Sequence, residues 1–341
     1  TALTTGDDNV AIGFEALSTE DAHGDNVAIG HQALKTLNVG TEGENVAIGK
    51  GAGTSMTTGV QSVLIGKRSG DALTDADRNT AVGYATLSGD TLGSKSTAVG
   101  YAALFTQNFT TATDTYNVAV GYEAGGAITT GDSNTLIGGL AGDALTTGTD
   151  NVAIGKDALT SDTLGSKTVA IGKNTLEAQN FTTATDANNV AIGDSAGQAL
   201  TTGVNNTLIG ALAGDAITDA DYNVAVGSGA LTADTLGSRS TALGFNTLAS
   251  QNFTTATISY NTAVGFGAGG NITTGDSNTL IGSLAGDALS TGNSNVAMGL
   301  NALGSDTKGD RNVALGMAAL TAQNFTTQTD AYNVAVGYTA G

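Results

Sequence analysis

Apolar and polar residues alternate along this chain in short bursts, and each burst closes on glycine. Asn9–Gly13 reads NVAIG, Asn26–Gly30 and Asn45–Gly49 repeat it letter for letter, and Asn134–Gly138 gives NTLIG. Three apolar residues between an asparagine and a glycine predict a short strand between two corners, because side chains of an extended segment point to opposite faces in turn. The second residue is Val or Thr, the fourth is Ile, Val, Leu or Met, and the third is Ala or, at Leu64, Leu136, Leu208 and Leu280, leucine. Such a strand is apolar on both faces. The second and fourth residues are expected to fill the interior of a coil, with the third turned toward a neighbouring chain. The four leucines are therefore candidates for contact between chains.

The phrase recurs nineteen times, from Gly13 to Gly337, mostly at intervals of 17 residues, with one of 19 and four of 21. The longer intervals carry an insert, QNFTT, that places Phe109, Phe181, Phe253 and Phe325 at steps of 72. So regular a period with strand-like phrases predicts an all-β fold, a parallel β-solenoid or β-roll of about nineteen coils, running as one continuous repeat domain over residues 1–341. A second strand is expected in the xxAL or DALTT phrase, as at Ala16–Leu17 and Asp143–Thr147. The phenylalanine inserts are expected to cover a seam between chains, since a phenylalanine exposed in every loop is an unusual surface.

The corner residues have structural roles. Glycine at Gly13, Gly30, Gly138 and Gly155 suits a tight corner, and asparagine at Asn9, Asn26, Asn134 and Asn151 suits a ladder of side-chain amides running up the stack. Proline is absent, as expected where every strand has neighbours above and below. Between Gly337 and Gly13 of a second copy lie as many residues as one ordinary repeat, so either copies join end to end into a filament or the chain is a window on a longer array.

Composition narrows the chemistry. Fifty glycines stand beside no proline, cysteine or tryptophan, and the 31 acids against 12 Lys and Arg give a formal charge of −19. That field makes nucleic acid and anionic membranes poor partners, and no apolar run is long enough for a membrane span. No catalytic set is visible, so an enzyme is not expected, and no cofactor is implied. Acids cluster ahead of the strands, at Asp7 and Asp8, Asp75 and Asp77, and Asp219 and Asp221. They are weak candidates for calcium, which needs several oxygen ligands; ordinary turn chemistry accounts for Asp beside Asn equally. Lys95, Lys167, Arg239 and Arg311 each follow an acid (Asp90, Asp162, Asp234, Asp306) by five residues, which predicts a weak ion pair across the corner.

The phrase NVAIG or NTAVG followed by xxAL or xxAG resembles the head repeats of trimeric autotransporter adhesins, the YadA-like family, and related repeats occur in phage tail-fibre-like proteins. The resemblance extends over all nineteen repeats. It implies a left-handed roll, three chains packed side by side, display at the cell surface or on a virion fibre, and adhesion to host or matrix molecules. These repeats are longer than the usual head repeat, and neither a heptad stalk nor a membrane anchor occurs in the 341 residues. The function expected is that of a structural and adhesive extracellular fibre module that binds copies of itself. The alternatives are a receptor-binding phage fibre shaft and a single-chain ice- or surface-binding solenoid.

Overall fold

A computed structural model of the protein describes residues 6–20 and 22–341. The opening stretch Thr1–Gly13, invoked above for end-to-end joining, lies partly outside them. The fold is all-β, a parallel β-solenoid of about nineteen turns, each contributing one strand of three residues from Val10–Ile12 to Val334–Val336. The chain forms two compact units. One comprises the residues up to Thr168 with Asn180–Thr185, the other Val169–Gln179 with Asp186–Gly341.

In the first unit each strand pairs in parallel with the strand of the next turn, residue on equivalent residue. Val10, Ala11 and Ile12 lie on Val27, Ala28 and Ile29, and Thr135, Leu136 and Ile137 on Val152, Ala153 and Ile154. The second unit stacks likewise, as where Val190, Ala191 and Ile192 meet Thr207, Leu208 and Ile209. A one-residue slip would exchange the faces of every side chain, so the pattern of the phrase fixes the register.

The faces are the reverse of those expected. The third residue points inward: Ala28, Ala47, Leu64, Leu136, Leu208 and Leu280 are fully buried in the coil. The second and fourth residues lie on the outer face, mostly half exposed, with Ile12, Ile137, Leu243 and Met298 among the more exposed. The four leucines are thus core residues of their own coil and do not contact another chain. The physical reason is space. A turn this short has a narrow interior, and the xxAL leucines already fill it: Leu34, Leu104, Leu159 and Leu231 are fully buried. Opposite them only alanine fits.

Where the third residue is leucine, the opposite leucine is lost. Leu136 lies beside Gly142, and a β-carbon placed there would stand 2.8 Å from Leu136 Cδ2. Leu64 with Gly70, Leu208 with Gly214 and Leu280 with Gly286 repeat the exchange. At these four turns large and small swap sides, as close packing of a narrow interior requires.

The expected second strand is absent. Ala16–Leu17 and Asp143–Thr147 form turns. Alternate residues there take positive φ, with Glu15 at 53°, Leu17 at 48° and Leu140 at 60°. Paired turns close within the segment, Ala141 N donating to Gly138 O (3.3 Å) and Leu145 N to Gly142 O (3.2 Å), while Gly142 N reaches Ala158 O of the next turn (2.9 Å). Left-handed backbone is uncommon for a leucine; it persists because the hydrogen bond to the neighbouring turn and a buried side chain fix it. Short second strands occur elsewhere, where Gly93–Ser94 pairs with Thr113–Asp114 and Gly237–Ser238 with Thr257–Ile258.

At the corner after the strand, Gly138 has φ of 139°, and a β-carbon on it would lie 2.4 Å from the carbonyl oxygen of Gly155 one turn on. Strain and collision act together, so Gly138→Ala is expected to destabilise the first unit by about 3 kcal/mol or more. Leu136→Ala, which opens a cavity opposite Gly142, is expected to cost about 3 kcal/mol. Thermal unfolding followed by circular dichroism checks both; an unchanged midpoint in Leu136→Ala would place that side chain outside the core.

Candidate interaction surface

The outer face of the strands is the most distinctive surface of each unit. Its second and fourth positions carry no charged residue in any turn. In the first unit nine such turns, stacked at about 4.8 Å, make a strip on the order of 40 Å long. An uncharged β-branched strip of that length exceeds what isolated apolar surface residues produce.

The asparagine column beside the strip ties each turn to its neighbour. In the first unit Asn26 N donates to Asn9 Oδ1 (3.1 Å), Asn134 N to Asn117 Oδ1 (2.9 Å), and Asn151 N to Asn134 Oδ1 (3.0 Å). The amide nitrogens donate to corner carbonyls, Asn134 Nδ2 to Gly148 O (3.0 Å) and Asn151 Nδ2 to Gly165 O (2.9 Å). Direct contact between side-chain amides is longer, 3.3 Å from Asn134 Nδ2 to Asn117 Oδ1. The ladder is thus chiefly one of side chain to backbone. Serine takes the same place at Ser62, whose Oγ receives Asn79 N at 3.2 Å.

Two columns border the strip. The residue after each closing glycine forms one, where Tyr84, Tyr101 and Tyr122 stack with ring centroids 5.3 and 5.2 Å apart in the first unit, and Phe245 on Phe266 at 5.6 Å in the second. The residue before each strand asparagine forms the other. There Lys95 lies over the Tyr116 ring at 5.2 Å, and Arg239 lies between Tyr222 (5.5 Å) and Tyr260 (6.0 Å). Neither column was recognised from the sequence, although both can be read there once residues are taken at the repeat interval.

The inserts belong to their own coil. Phe109, Phe181 and Phe253 are 5–7% exposed, and Phe325 is half-buried. A β-carbon on Gly237 would touch Phe253 Cδ2 at 2.7 Å, so that ring covers the preceding turn of its own chain. No seam between chains is needed to bury these rings.

Each insert is anchored by the acid that the sequence paired with a lysine or arginine. Asp90 is buried; its Oδ1 accepts from Gly93 N (3.1 Å) and Phe109 N (3.0 Å), and its Oδ2 from Gln107 Nε2 (2.5 Å). Gln107 Oε1 in turn accepts from Asn117 Nδ2 at 2.8 Å. Asp234 and Asp306 repeat the arrangement with Gln251 and Gln323, and Asp162 receives Gly165 N and Phe181 N. Burial pushes the Asp234 carboxyl above its usual range despite the donors around it. The expected ion pair across the corner is therefore corrected. Lys95 binds Asp114 at 2.5 Å and Arg311 binds Asp330, both acids in the following turn.

The acids considered for calcium serve the turns. Asp75 Oδ1 accepts from Thr58 Oγ1 (2.6 Å), Asp77 Oδ1 from Val60 N (2.9 Å), and Asp219 and Asp221 do the same for Thr202 and Val204 N. Asp7 O accepts from Asp25 N, and Asp8 has φ of 56°. Among the described residues no three His, Asp or Glu side chains converge on one point, and no helix is long and apolar enough to cross a membrane. The first threonine of the TTG phrase stacks as a further column and spends its hydroxyl donor on the chain itself, Thr129 Oγ1 on Thr146 O (3.1 Å) and Thr146 Oγ1 on Thr163 O (2.9 Å).

Comparison with protein-family models, curated proteins and solved structures gave no match to the chain. The class that fold and surface define is a β-solenoid repeat protein.

Among the described residues one half-buried carboxyl has an enclosed oxygen without a partner. Asp143 and Asp215 accept hydroxyls from Thr160 and Thr232 one turn on, both at 2.5 Å, but the equivalent residue for Asp287 is Gly304, and Asp287 Oδ1 has no hydrogen bond. Burial raises its pKa. A carboxyl whose folded pKa is raised binds its proton more tightly folded than unfolded, so it destabilises the fold as pH rises through the unfolded value toward the folded one. Asp287→Asn is expected to raise the thermal midpoint at pH 7 and to lose that advantage near pH 3; an equal gain at both would contradict the assignment.

Proposed function

We propose that the protein is a structural module of an extracellular fibre, of adhesin or tail-fibre kind, whose chains associate side by side through the outer face of the strands, three to a cross-section as the resemblance to adhesin heads implies. The observation that carries this is the strip itself, half-exposed Val, Ile and Thr without a charge in any turn. Such a face is stable in water when another like it covers it. The occupant is a second copy of this chain, because the strip has the periodicity of the coil and a surface of equal period matches it turn for turn. Among the described residues the interior of each turn is filled by leucine and alanine of its own coil, and the protein's work is to hold a shape and present its outer columns to a host or matrix surface.

Light scattering is expected to give a mass that is a multiple of 33.4 kDa. Ile65→Lys with Ile137→Lys puts two charges on the strip without touching the core, and is expected to shift the mass toward the single chain while circular dichroism keeps its β signal. A wild-type mass of one chain at high concentration would overturn the proposal.

A further inference from the structure

The four inserts share the letters QNFTT and differ on either side of them. The coil accounts for two of these letters. Gln107 and Gln251 bind the buried aspartates, and Phe109, Phe181 and Phe253 are themselves buried. The asparagine before the phenylalanine and the threonine after it face the other way. Asn108 with Thr110 and Asn180 with Thr182 are exposed in the first unit, as Asn324 with Thr326 are in the second, where Asn252 is half-buried beside an exposed Thr254.

Each of these asparagines is held by its carboxamide oxygen. Thr91 Oγ1 donates to Asn108 Oδ1 (3.0 Å) and Thr163 Oγ1 to Asn180 Oδ1 (3.0 Å) in the first unit; Thr235 Oγ1 donates to Asn252 Oδ1 (3.0 Å) and Thr307 Oγ1 to Asn324 Oδ1 (3.2 Å) in the second. Among the described residues, nothing in the chain bonds to the nitrogen of that carboxamide or to the hydroxyl of the threonine two residues on. The other polar columns differ. Strand asparagines spend the amide nitrogen on corner carbonyls, as Asn134 does on Gly148 O, and the first TTG threonine spends its hydroxyl on the next turn, as Thr129 does.

Asparagine, any residue but proline, then threonine is the acceptor triplet for N-linked sugar, which is carried on the amide nitrogen. Two further triplets of this form occur, Asn205–Thr207 and Asn271–Thr273. Thr273 Oγ1 is spent on Ser290 O (3.0 Å), and Asn205 is half-buried, with Thr207 in the second strand position on the strip assigned to a second copy. Only the inserts combine a pinned oxygen, an unspent amide nitrogen and an unspent, exposed threonine.

We propose that the four inserts are acceptor sites for N-linked glycosylation, at Nδ2 of Asn108, Asn180, Asn252 and Asn324. This rests on reading the chain as an extracellular module. The co-substrate is a sugar activated by phosphate at its anomeric carbon, and the catalyst is a glycosyltransferase of the producing cell. A bond forms between Nδ2 and the anomeric carbon while the bond from that carbon to the phosphate oxygen breaks. The phosphate departs with the electron pair, and one amide proton passes to a base of the transferase. The inserts recur every fourth turn, so Asn108 and Asn180 stand roughly 19 Å apart at strand spacing, and each has room for its own glycan. The first insert adjoins the short sheet in which Gly93–Ser94 pairs with Thr113–Asp114, away from the outer strand face, so its glycan leaves the strip free.

Protein collected from the surface of the cells that make it, digested and read by tandem mass spectrometry under fragmentation that keeps sugars attached, is expected to carry whole sugar residues on the four insert asparagines and none on Asn205 or Asn271. Thr110→Ala is expected to lose the sugar at Asn108 while Asn180 keeps its own, and Thr110→Ser to retain it. Bare asparagine in all four inserts, sugar on Thr110 in place of Asn108, occupancy at Asn205 or Asn271 equal to that of the inserts, or persistence of the sugar in Thr110→Ala would each overturn the proposal and leave side-by-side association to its own test by light scattering. Bare protein found only inside the cell would overturn the extracellular reading along with it.

Discussion

Everything in this fold depends on equivalent residues stacking on one another at strand spacing. The closing glycine shows how tight the constraint is, since no β-carbon can be placed at Gly138 without striking the corner of the next turn. Within each unit that spacing aligns the asparagine column, keeps the three-residue strands in register, and brings each insert within reach of the aspartate one turn before it. Absence of proline follows from the same demand, because a turn must donate as well as accept along the stack.

Stacking also determines which side chains face out. Opposite a leucine of the following phrase the interior of a turn holds alanine, and a strand leucine enters only opposite glycine, as Leu136 and Gly142 demonstrate. The larger Val and Ile are left on the outer face. A coil that cannot enclose its bulky residues presents them on its outer face. The polar networks are confined to corners and inserts, where buried carboxylates such as Asp90 hold backbone N–H groups. They determine the shape of the loops.

Much of this architecture is legible in the sequence because the period is so regular: the solenoid, the strand phrase, the corner glycine and the structural asparagine all follow from it. Which face of the strand is inside does not follow. Alternation separates Ala28 from Val27 and Ile29 but gives no sign, and the usual assumption that larger apolar residues go inside fails where the cavity is narrow. The turns at Glu15 and Leu17 escape for a related reason, since leucine in left-handed backbone is contrary to its local preference and is imposed by contact with the next turn. Lys95 pairs with Asp114 of the next turn and not with Asp90, five residues back, because the Asp90 carboxylate is buried and held by the N–H groups of Gly93 and Phe109. Spatial neighbours in this molecule lie at sequence distances of 17 to 21.

Methionine gives the most direct test of the claim that the outer strand face is covered by another copy. Of the three in the chain, Met56 is fully buried in the coil, Met298 occupies the fourth strand position at 41% exposure, and Met317 stands in a bordering column at 48%. Under mild peroxide oxidation followed by mass spectrometry, Met298 is predicted to resist as Met56 does at high protein concentration and to oxidise readily on dilution to single chains. Rapid oxidation of Met298 at every concentration would contradict the account.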